Sequence, residues 1–461
     1  MKIAFSTLGC KLNYAETSTY RRAFLAAGWE AVPWTQPADW YLLNSCAVTE
    51  TAEKKSRSLI RRAHRTAPEA RILVTGCYAA LRPEEILALP GVVRVYGAAE
   101  KARIVPETLA AQATPATPAT PEGGIPSETA SASLRPLPPA EPAGPSLLCG
   151  RGWPQVTEGT PPSGVHNTPE TFAAYSSGER TRSFLKVQDG CDNFCAYCTV
   201  PLARGRSRNI PVCEAVRQAE EIAAKGIREI VLTGVNTGDF GRTTGESFLQ
   251  LLQALNGVEG IERYRISSIE PQLITDEIID WIATGTKFQP HFHIPLQSGS
   301  DMLLRKVGRR YSTEEFAARI EAIRSRLEAP GRPKVFFGID VIVGLPGETE
   351  ELFQETLRFL EQRIRPAFLH VFPYSRRPGT RAAEWPGQVA EPVKAVRVAA
   401  LEALSDRLHA AFVEENRGLP ARVLWESNVK DGRMSGYTGN YIRVERPYDT
   451  TRINTLEDII L

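Results

Sequence analysis

Residues 191–198, CDNFCAYC, hold three of the eight cysteines in a chain of 461 residues, in the pattern C-x3-C-x2-C. They come directly after SFLKVQDG, which predicts a strand, and strand and helix patterns alternate from there onward. Such alternation is typical of parallel sheets covered by helices. Because the chemistry of β/α barrels lies at the C-terminal ends of their strands, the place of this loop predicts a functional site.

Three local thiols are one fewer than a closed metal site requires. A structural zinc normally has four protein ligands, and a [4Fe–4S] cluster usually takes four thiolates. Cys213 follows Cys198 by fifteen residues and is expected at the start of the next helix, as a buried or helix-start thiol. The triplet therefore favours an iron–sulfur cluster with one iron open to a small ligand. Zinc and chance clustering remain the alternatives.

The region from residue 179 to residue 390 is predicted to be one domain. Its strands are SFLKVQDG, EIVLTGVN, RYRISSIE, FHIPLQSG, KVFFGIDVIVG and AFLHVFPYS, with helices between them. Six such units indicate a partial (β/α)6 barrel, short of the eight of a complete barrel. His291, His293 and His370 fall on these strands and are expected to pack or to form hydrogen bonds there.

Residues 1–105 predict a separate α/β domain with a parallel sheet, from the strands KIAFSTLG, WYLLNS, RILVTG and VVRVYG. Three of these strands end in the same way, with a small residue and then Cys10, Cys46 or Cys77. If the strands are parallel neighbours, all three thiols emerge at one edge, where open α/β sheets bind ligands. A second three-thiolate cluster is predicted; three buried small residues are the alternative.

Two further regions complete the organisation. Residues 106–178 are rich in Pro, Ala and Thr and predict a disordered linker, in which Cys149 is expected to have no function. Residues 391–461 predict a connecting helix and a small all-β barrel or meander, because polar and apolar residues alternate around turn signals. The predicted fold class is thus α/β, with a small all-β domain at the C-terminus.

Charge and hydropathy bear on partners. No apolar run approaches the ~18 residues of a membrane span, so we expect a cytoplasmic protein with reduced thiols. The net charge is only +2, so local clusters must indicate any RNA contact. Such clusters are EKKSRSLIRRAHR, with one helix face formed by Lys54, Arg57, Arg61 and Arg65, and RGRSR, RKVGRR and SRRPGTR in the barrel domain. Trp425, Tyr437 and Tyr441 are expected either to stack on bases or to pack in a core.

CDNFCAYC resembles the signature of the radical S-adenosylmethionine (SAM) enzymes. With the three N-terminal cysteines and the small C-terminal barrel, the chain resembles their methylthiotransferases over nearly everything outside residues 106–178. TLGCKLN, CTVPLARGRSR and LTGVNTGDFG look most like the subgroup acting on N6-threonylcarbamoyladenosine at position 37 of tRNA. The resemblance implies an N-terminal methylthiotransferase domain, a radical SAM barrel and a TRAM-like RNA-binding domain.

The resemblance also implies the cofactors and their chemistry. Cys191, Cys195 and Cys198 would hold a [4Fe–4S] cluster whose open iron binds SAM, and its reductive cleavage would give a 5′-deoxyadenosyl radical that abstracts hydrogen from C2 of adenine. Cys10, Cys46 and Cys77 would hold an auxiliary [4Fe–4S] cluster that carries the sulfur, and a second SAM would give the methyl group. The implied partners are tRNA, a flavodoxin- or ferredoxin-like low-potential electron donor and a sulfur donor.

Strand-end residues beside the triplet are the candidates for holding SAM: Gly234, Asn236, Ser268, Glu270, Gln297 and Asp340. No residue is assigned as a catalytic acid or base. Two alternative functions stay open at this point. One keeps the radical chemistry on isopentenyladenosine tRNA or on a ribosomal protein, and the other is a non-catalytic iron–sulfur or zinc-stabilised RNA-binding protein.

Overall fold

The computed structural model describes residues 1–113, 171–178 and 180–461. Cys149 and most of the predicted linker lie outside the described residues. The prediction of a linker over residues 106–178 is wrong at both ends, since helix α5 continues to Ala113 and a short strand covers Ala174–Tyr175. Both ends pack against the rest of the chain: α5 contacts α1, and the short strand pairs with the first barrel strand.

The N-terminal domain is a five-stranded parallel sheet with helices on both faces, as the sequence predicted. Its strands are β1 Lys2–Thr7, β2 Glu30–Val32, β3 Trp40–Ser45, β4 Arg71–Gly76 and β5 Val92–Val95, in the order β2-β1-β3-β4-β5. Its helices are α1 Lys11–Ala26, α2 Glu50–Thr66, α3 Cys77–Leu81, α4 Pro83–Leu87 and α5 Ile104–Ala113. The sequence patterns did not indicate β2, which lies at the edge and is short.

Two apolar layers hold this sheet. Tyr41, Ile60 and Tyr78 lie in the cluster on one face, and Phe24 and Tyr96 lie in the cluster on the other. All five side chains are almost completely buried, so each face excludes water from the sheet. The sheet is therefore a rigid support for the loops at its C-terminal edge.

Local sequence explains where the helix after β3 begins. The side chain of Thr49 accepts a hydrogen bond from the backbone N–H of Ala52, which caps α2. Glu50 and Glu53 lie in the first turn of α2, and Arg65 lies in the last, which suits the helix dipole. The loop that carries Cys46 is consequently short and fixed at both ends.

The central domain is a partial barrel of six parallel strands. The nine strands of this region are β6 Ala174–Tyr175, β7 Arg182–Lys186, β8 Gln188–Asp189, β9 Arg208–Asn209, β10 Glu229–Thr233, β11 Arg263–Ile266, β12 His291–Gln297, β13 Phe336–Val343 and β14 Phe368–Pro373. Strands β7, β10 and β11 pair in parallel, as do β12, β13 and β14. A parallel bridge between Tyr264 and Phe288 and a hydrogen bond from Ile269 N–H to His293 O join the two sets.

Helices cover the outside of this barrel. They are α6 Val200–Arg204, α7 Val212–Ala224, α8 Phe248–Asn256, α9 Asp276–Ala283, α10 Asp301–Val307, α11 Thr313–Leu327, α12 Glu350–Arg358 and α13 Arg381–Glu384. One apolar core, which includes Leu232, Ile294 and Ile339, joins the strands to these helices. The loops at the C-terminal ends of the strands are thereby held over a packed interior.

The C-terminal region closes the opposite end of the barrel. It consists of α14 Glu391–Glu415 and an antiparallel sheet of β15 Pro420–Lys430, β16 Arg433–Thr438, β17 Arg443–Pro447 and β18 Leu456–Ile460, in the order β17-β16-β15-β18. Arg263, at the start of β11, donates to Tyr437 O at 3.0 Å, and Arg265 donates to Gly439 O at 2.7 Å. The sheet therefore contacts the N-terminal ends of the barrel strands.

Candidate active site

Cys10, Cys46 and Cys77 lie at the C-terminal ends of three neighbouring parallel strands. Cys10 follows β1 and precedes α1, Cys46 follows β3, and Cys77 begins α3 directly after β4. Burial, with smaller contributions from Cys77 and Cys10, raises the pKa of the Cys46 thiol to about 11. The three thiols thus lie within electrostatic range of one another. We call this set the N-terminal triad.

Two glycines make this convergence possible. Gly9 has φ +98° and Gly76 has φ +95°, a left-handed conformation that favours glycine. A Cβ atom on Gly9 would lie 2.9 Å from the sulfur of Cys46, and one on Gly76 would lie 2.2 Å from Ser45 O. The backbone before Cys10 and before Cys77 therefore approaches its neighbour more closely than a side chain allows.

Asn13 ties the ends of the strands together. Its side-chain amide donates to Leu8 O at 2.9 Å and to Ser45 O at 3.0 Å, which joins the loop before Cys10 to the strand before Cys46. Asn13 is buried. In the motif TLGCKLN, the asparagine three residues after the cysteine thus positions two of the three thiols.

Cys191, Cys195 and Cys198 lie in the loop between β8 and α6; we call them the barrel triad. The sulfur of Cys191 accepts a hydrogen bond from Asn193 N–H at 3.5 Å, and that of Cys198 accepts one from Val200 N–H at 3.4 Å. Burial raises the pKa of Cys191 to about 11 and that of Cys198 to about 12. These thiols stay protonated at neutral pH unless a metal displaces the proton.

A cavity of about 320 Å³ lies beside the barrel triad. All three cysteines of the triad line it, and so do Val48 and Thr49, which follow Cys46 in the N-terminal domain. Five of the six strand-end residues predicted from sequence line it as well, namely Asn236, Ser268, Glu270, Gln297 and Asp340. The structure thus brings residues of both cysteine-bearing domains to one space.

Gly234, the sixth predicted residue, does not line this cavity. A Cβ atom there would lie 2.9 Å from Oε1 of Gln188. That oxygen accepts hydrogen bonds from the N–H groups of Val235, at 2.9 Å, and Asn236, at 3.0 Å. Gly234 therefore leaves room for the side chain that fixes the loop after β10, and it acts behind the cavity wall.

Arg309 is a functional candidate for this cavity, although its basic run predicted contact with RNA. RKVGRR was interpreted as a basic cluster for RNA, but the Arg309 side chain is only 5% exposed. It pairs with Glu270 at 2.8 Å and donates to the sulfur of Cys195 at 3.5 Å. Both Arg309 and Glu270 line the cavity. The signal in the sequence was a charge run, which does not distinguish an exposed arginine from a buried one.

Arg204 links the two triads. It ends α6, directly after the barrel triad, and donates to Asp189 Oδ1 at 2.7 Å and to the side chain of Asn13. Burial raises the pKa of the Cys77 thiol, and the positive charge of Arg204 partly offsets this effect. Helix α6 packs on α3, with Ala203 in the same apolar cluster as Cys77.

A buried charge network surrounds Arg204. Glu16 Oε1 pairs with Lys101 and Lys186 at 2.7 Å each and with Arg204 at 3.4 Å, and all of these side chains are almost fully buried. Burial raises the pKa of Glu16, but the three cations outweigh it and hold that pKa well below its usual range. The network joins the N-terminal domain to the barrel.

Some of the arginines predicted to contact phosphate are instead buried inside the protein. In RGRSR, Arg204 and Arg208 are buried against Asp189, and only Arg206 is exposed. In SRRPGTR, Arg377 is buried and pairs with Glu53. The prediction of phosphate contacts is therefore wrong for these three arginines. Their carboxylate partners lie outside the basic runs, so the runs alone could not indicate that these arginines are buried.

The helix α2 face and the C-terminal aromatics, which were also predicted to contact RNA, differ in exposure. Lys54, Arg61 and Arg65 are exposed on α2, as the helical spacing predicted. Trp425 is buried and Tyr437 stacks on Tyr441, with ring centroids 4.8 Å apart, so these aromatics form the packing of the C-terminal sheet.

Neither cysteine triad has the geometry of a site for a single ion. Sulfurs on one tetrahedral zinc lie about 3.8 Å apart. Among the described residues, only His293, Asp340 and His370 bring three ligand atoms of this kind within 4.8 Å of one another, so the sulfurs of each triad are more widely spaced. A four-iron cluster is larger and takes its thiolates on different irons. The donor sets therefore fit iron–sulfur clusters.

Family models match both of these domains. The model described as "Uncharacterized protein family UPF0004" matches residues 2–97, and the Radical SAM superfamily model matches residues 185–360. The solved structure of the radical SAM methyltransferase TsrM from Kitasatospora setae, with tryptophan and a SAM analogue, covers 83% of this chain and 75% of its own, at a TM-score of 0.54 and 16% identity. Fold and site define a radical SAM enzyme, a class that uses a [4Fe–4S] cluster and SAM.

Similar sequences narrow the class further. Threonylcarbamoyladenosine tRNA methylthiotransferase MtaB from Bacillus subtilis is 38% identical over 96% of this chain and 89% of its own, and MtaB from Aquifex aeolicus is 34% identical over 97% of both. A tRNA-2-methylthio-N(6)-dimethylallyladenosine synthase from Maricaulis maris is 31% identical over 94% of this chain and 88% of its own. The chain belongs to the family of the MtaB radical SAM methylthiotransferases. In the described residues, no helix is both long and apolar enough to cross a membrane.

Proposed function

We propose that this enzyme methylthiolates C2 of N6-threonylcarbamoyladenosine at position 37 of tRNA. In this proposal one SAM is the radical source, a second SAM is the methyl donor, and the N-terminal triad holds a second [4Fe–4S] cluster that carries the sulfur. The observation that carries it is the cavity at which the barrel triad meets Val48 and Thr49, the residues that follow Cys46. The tRNA substrate is supported by the similarity to the two threonylcarbamoyladenosine tRNA methylthiotransferases.

The chain's own residues would perform three tasks. The barrel triad would hold one cluster, and Asn236, Ser268, Glu270 and Gln297 would hold SAM over it. Apolar side chains, including Val200, Val235, Ile342 and Phe372, line much of the same cavity and would exclude water from it. When bound, the cofactors supply a carbon-centred radical and sulfur, and the protein supplies their relative position.

The structure gives most detail on how the protein positions the two triads relative to each other. Arg204 and α6 connect the barrel triad to Cys77 within a buried network, so the two triads belong to one packed unit. Arg309 donates to Cys195 while it pairs with Glu270, so one cysteine and one candidate SAM residue are held together. A base bound in the cavity would be held near both triads.

The substrate is tested by nucleoside mass spectrometry of tRNA from a deletion strain. We expect 2-methylthio-N6-threonylcarbamoyladenosine to disappear and to return when the gene is supplied, but not when Cys46 and Cys77 are changed to Ala. Unchanged amounts of this nucleoside would refute the substrate. Loss of the 2-methylthio isopentenyl nucleoside instead would point to the substrate named for the relative from Maricaulis maris.

The cluster assignment is tested on protein reconstituted without oxygen. We expect about eight iron atoms per chain, and about four after Cys10, Cys46 and Cys77 are changed to Ala. The latter variant should still cleave SAM to 5′-deoxyadenosine under reduction, whereas a variant of the barrel triad should not. About four iron atoms in the unaltered protein would refute the second cluster, and no 5′-deoxyadenosine would favour a non-catalytic RNA-binding protein.

The remaining partners follow from the proposed chemistry. Reduction of the barrel cluster needs a low-potential donor of the flavodoxin or ferredoxin type, and repeated turnover needs a sulfur donor. The exposed basic side chains of α2 begin at Lys54, eight residues after Cys46, and would contact the phosphates of tRNA. Lys54 and Arg61 are the residues of this face to neutralise in a binding assay at two salt concentrations.

A further inference from the structure

Three polar side chains meet inside the barrel, below the cavity. Asp340 and His370 are direct neighbours on the paired strands β13 and β14, and His293 lies on β12. His293 Nε2 lies 2.5 Å from Asp340 Oδ1, and the rings of His293 and His370 are 4.7 Å apart. The side chains of His293 and Asp340 are 21% and 16% exposed, so they face an open space. Asp340 also lines the cavity, so this group of side chains borders it.

Lys11 completes this group from the N-terminal domain. It is the first residue of α1, directly after Cys10, and α1 packs against β7 of the barrel. Its ammonium group interacts electrostatically with Asp340, Arg182 and Arg265. The two arginines pair with Glu426 at 2.9 Å and with Glu229 at 2.7 Å, whereas Lys11 makes no salt bridge within the described part of the chain. We call Lys11, His293, Asp340 and His370 the lumen group.

We propose that the lumen group binds the threonylcarbamoyl arm of the substrate and that Lys11 pairs with its carboxylate. This inference rests on the proposed function, because it names the part of that substrate which the enzyme would recognise. It makes Lys11 a residue that determines specificity, placed between a cysteine of the N-terminal triad and the barrel interior. Nothing in it requires Lys11 to take part in the chemistry.

The balance of charge inside the barrel favours a ligand with one negative charge. Four cations, Lys11, Arg182, Arg263 and Arg265, meet three carboxylates, Asp340, Glu229 and Glu426, so one positive charge is left over. A threonylcarbamoyl arm carries one carboxylate, which would neutralise it. An isopentenyl arm has no charge and would leave Lys11 desolvated without a partner, which is unfavourable.

The polar neighbours suit the rest of the same arm. A threonylcarbamoyl group has N–H and O–H donors, and Asp340 offers carboxylate oxygens to accept them. Burial, together with His293, lowers the pKa of His370 to about 4, so this ring is neutral and can donate or accept one hydrogen bond. Donors and acceptors are thus present for both the charged end and the urea of the arm.

A bound divalent metal is the competing occupant, because two histidines and one carboxylate are common ligands. The charge of the surroundings argues against it. A dication would add two positive charges beside Lys11, Arg182, Arg263 and Arg265, which already exceed the nearby carboxylates by one. An organic anion therefore fits the site better than a metal does.

The experiment uses three anticodon stem-loops that differ only at position 37. They carry N6-threonylcarbamoyladenosine, its threoninamide, in which the carboxylate is replaced by a neutral amide, or isopentenyladenosine. The dissociation constant is measured on the reconstituted enzyme without reductant, and kcat/KM is measured with it. Lys11→Met removes the charge, Lys11→Arg keeps it, and Lys225→Met is the control, an exposed lysine at the end of α7.

We expect the unaltered enzyme and Lys225→Met to bind the acid at least about 30-fold more tightly than the amide, the effect of losing one partner of a buried charge pair. Lys11→Met should reduce this ratio to within about threefold, and Lys11→Arg should retain part of it. Iron content and SAM cleavage without RNA should be unchanged in Lys11→Met, which separates recognition from a folding defect.

Two results would overturn the inference while leaving the proposed function intact. One is an acid-to-amide ratio that Lys11→Met does not change, in an enzyme that turns over the acid. The other is one equivalent of a metal other than iron that is lost in His293→Gln and His370→Gln. Failure of the unaltered enzyme to turn over the acid substrate would instead refute the proposed function itself.

Discussion

Replacing Glu16 with Gln tests whether the buried charge network holds the N-terminal domain to the barrel. One oxygen of Glu16 pairs with Lys101 and Lys186 at 2.7 Å each and with Arg204 at 3.4 Å. The substitution keeps the shape of the side chain but removes its charge, so three buried cations lose one of their two carboxylate partners. Removing one member of a buried ion pair typically costs about 3–5 kcal/mol. We expect a loss at the lower end, about 3 kcal/mol, because Asp189 still pairs with Lys186 and Arg204.

The assay is denaturation by urea of anaerobically purified protein, followed by circular dichroism. Glu414→Gln is the matched control: it breaks an exposed pair with Arg417 at 2.7 Å and should leave the midpoint almost unchanged. Adding Lys101→Met to Glu16→Gln restores the charge balance and should recover part of the loss. A loss below about 1 kcal/mol for Glu16→Gln would refute the reasoning, since burial would then offset the ion pairs.

The loss of stability in Glu16→Gln should depend on pH, because the charge of the Glu16 carboxylate depends on pH. The pKa of Glu16 is held below its usual value of 4.5 in the folded protein. Its contribution to stability is therefore complete above about pH 4.5 and is lost as the pH falls toward the lower folded pKa. The difference in stability between the unaltered protein and Glu16→Gln should consequently narrow on acidification below pH 4.5. A difference in stability that grows below pH 4.5 would contradict this prediction.

Two further predictions concern the cysteine loops. Gly76→Ala places a Cβ atom 2.2 Å from Ser45 O and should prevent the N-terminal triad from holding iron. Gly28→Ala is the control, because Gly28 has a similar positive φ but open space around it; it should lower the free energy of unfolding by only about 1 kcal/mol and leave iron binding intact. Iron analysis and urea denaturation compare the two variants. Arg309→Met removes the hydrogen bond to Cys195 and should lower the reduction potential of the barrel cluster, measured by a redox titration followed by electron paramagnetic resonance. An unchanged potential would show that Arg309 acts only through Glu270.

The positions of both triads could be predicted from sequence because they depend on local patterns. Each of Cys10, Cys46 and Cys77 ends a recognisable strand, and parallel strands present their ends at one edge. The roles of the arginines could not be predicted in this way. Arg204 and Arg309 lie in basic runs, and their buried partners come from positions up to 191 residues away in the chain. A charge run indicates exposure only when no distant carboxylate meets it.

The prediction for Gly234 was limited for the same reason, because contacts between distant parts of the chain decide its role. Its place at a strand end was predicted, but its neighbour is Gln188 of another strand, so the glycine serves the packing of the loop and not the cavity surface. Five polar residues at the other strand ends do line the cavity. Strand-end position thus predicts a place near the site, while contact depends on packing across strands.

Packed secondary-structure elements link the two triads within this chain. The barrel triad ends at Cys198, and α6 begins two residues later at Val200, so its distance to α6 is fixed by covalent geometry. Helix α6 in turn packs on α3, whose first residue is Cys77. Two short helices and Arg204 therefore fix one triad relative to the other without any flexible segment between them. The proposed radical chemistry and sulfur transfer at one carbon atom would require this constancy, because small errors in position reduce the rate steeply.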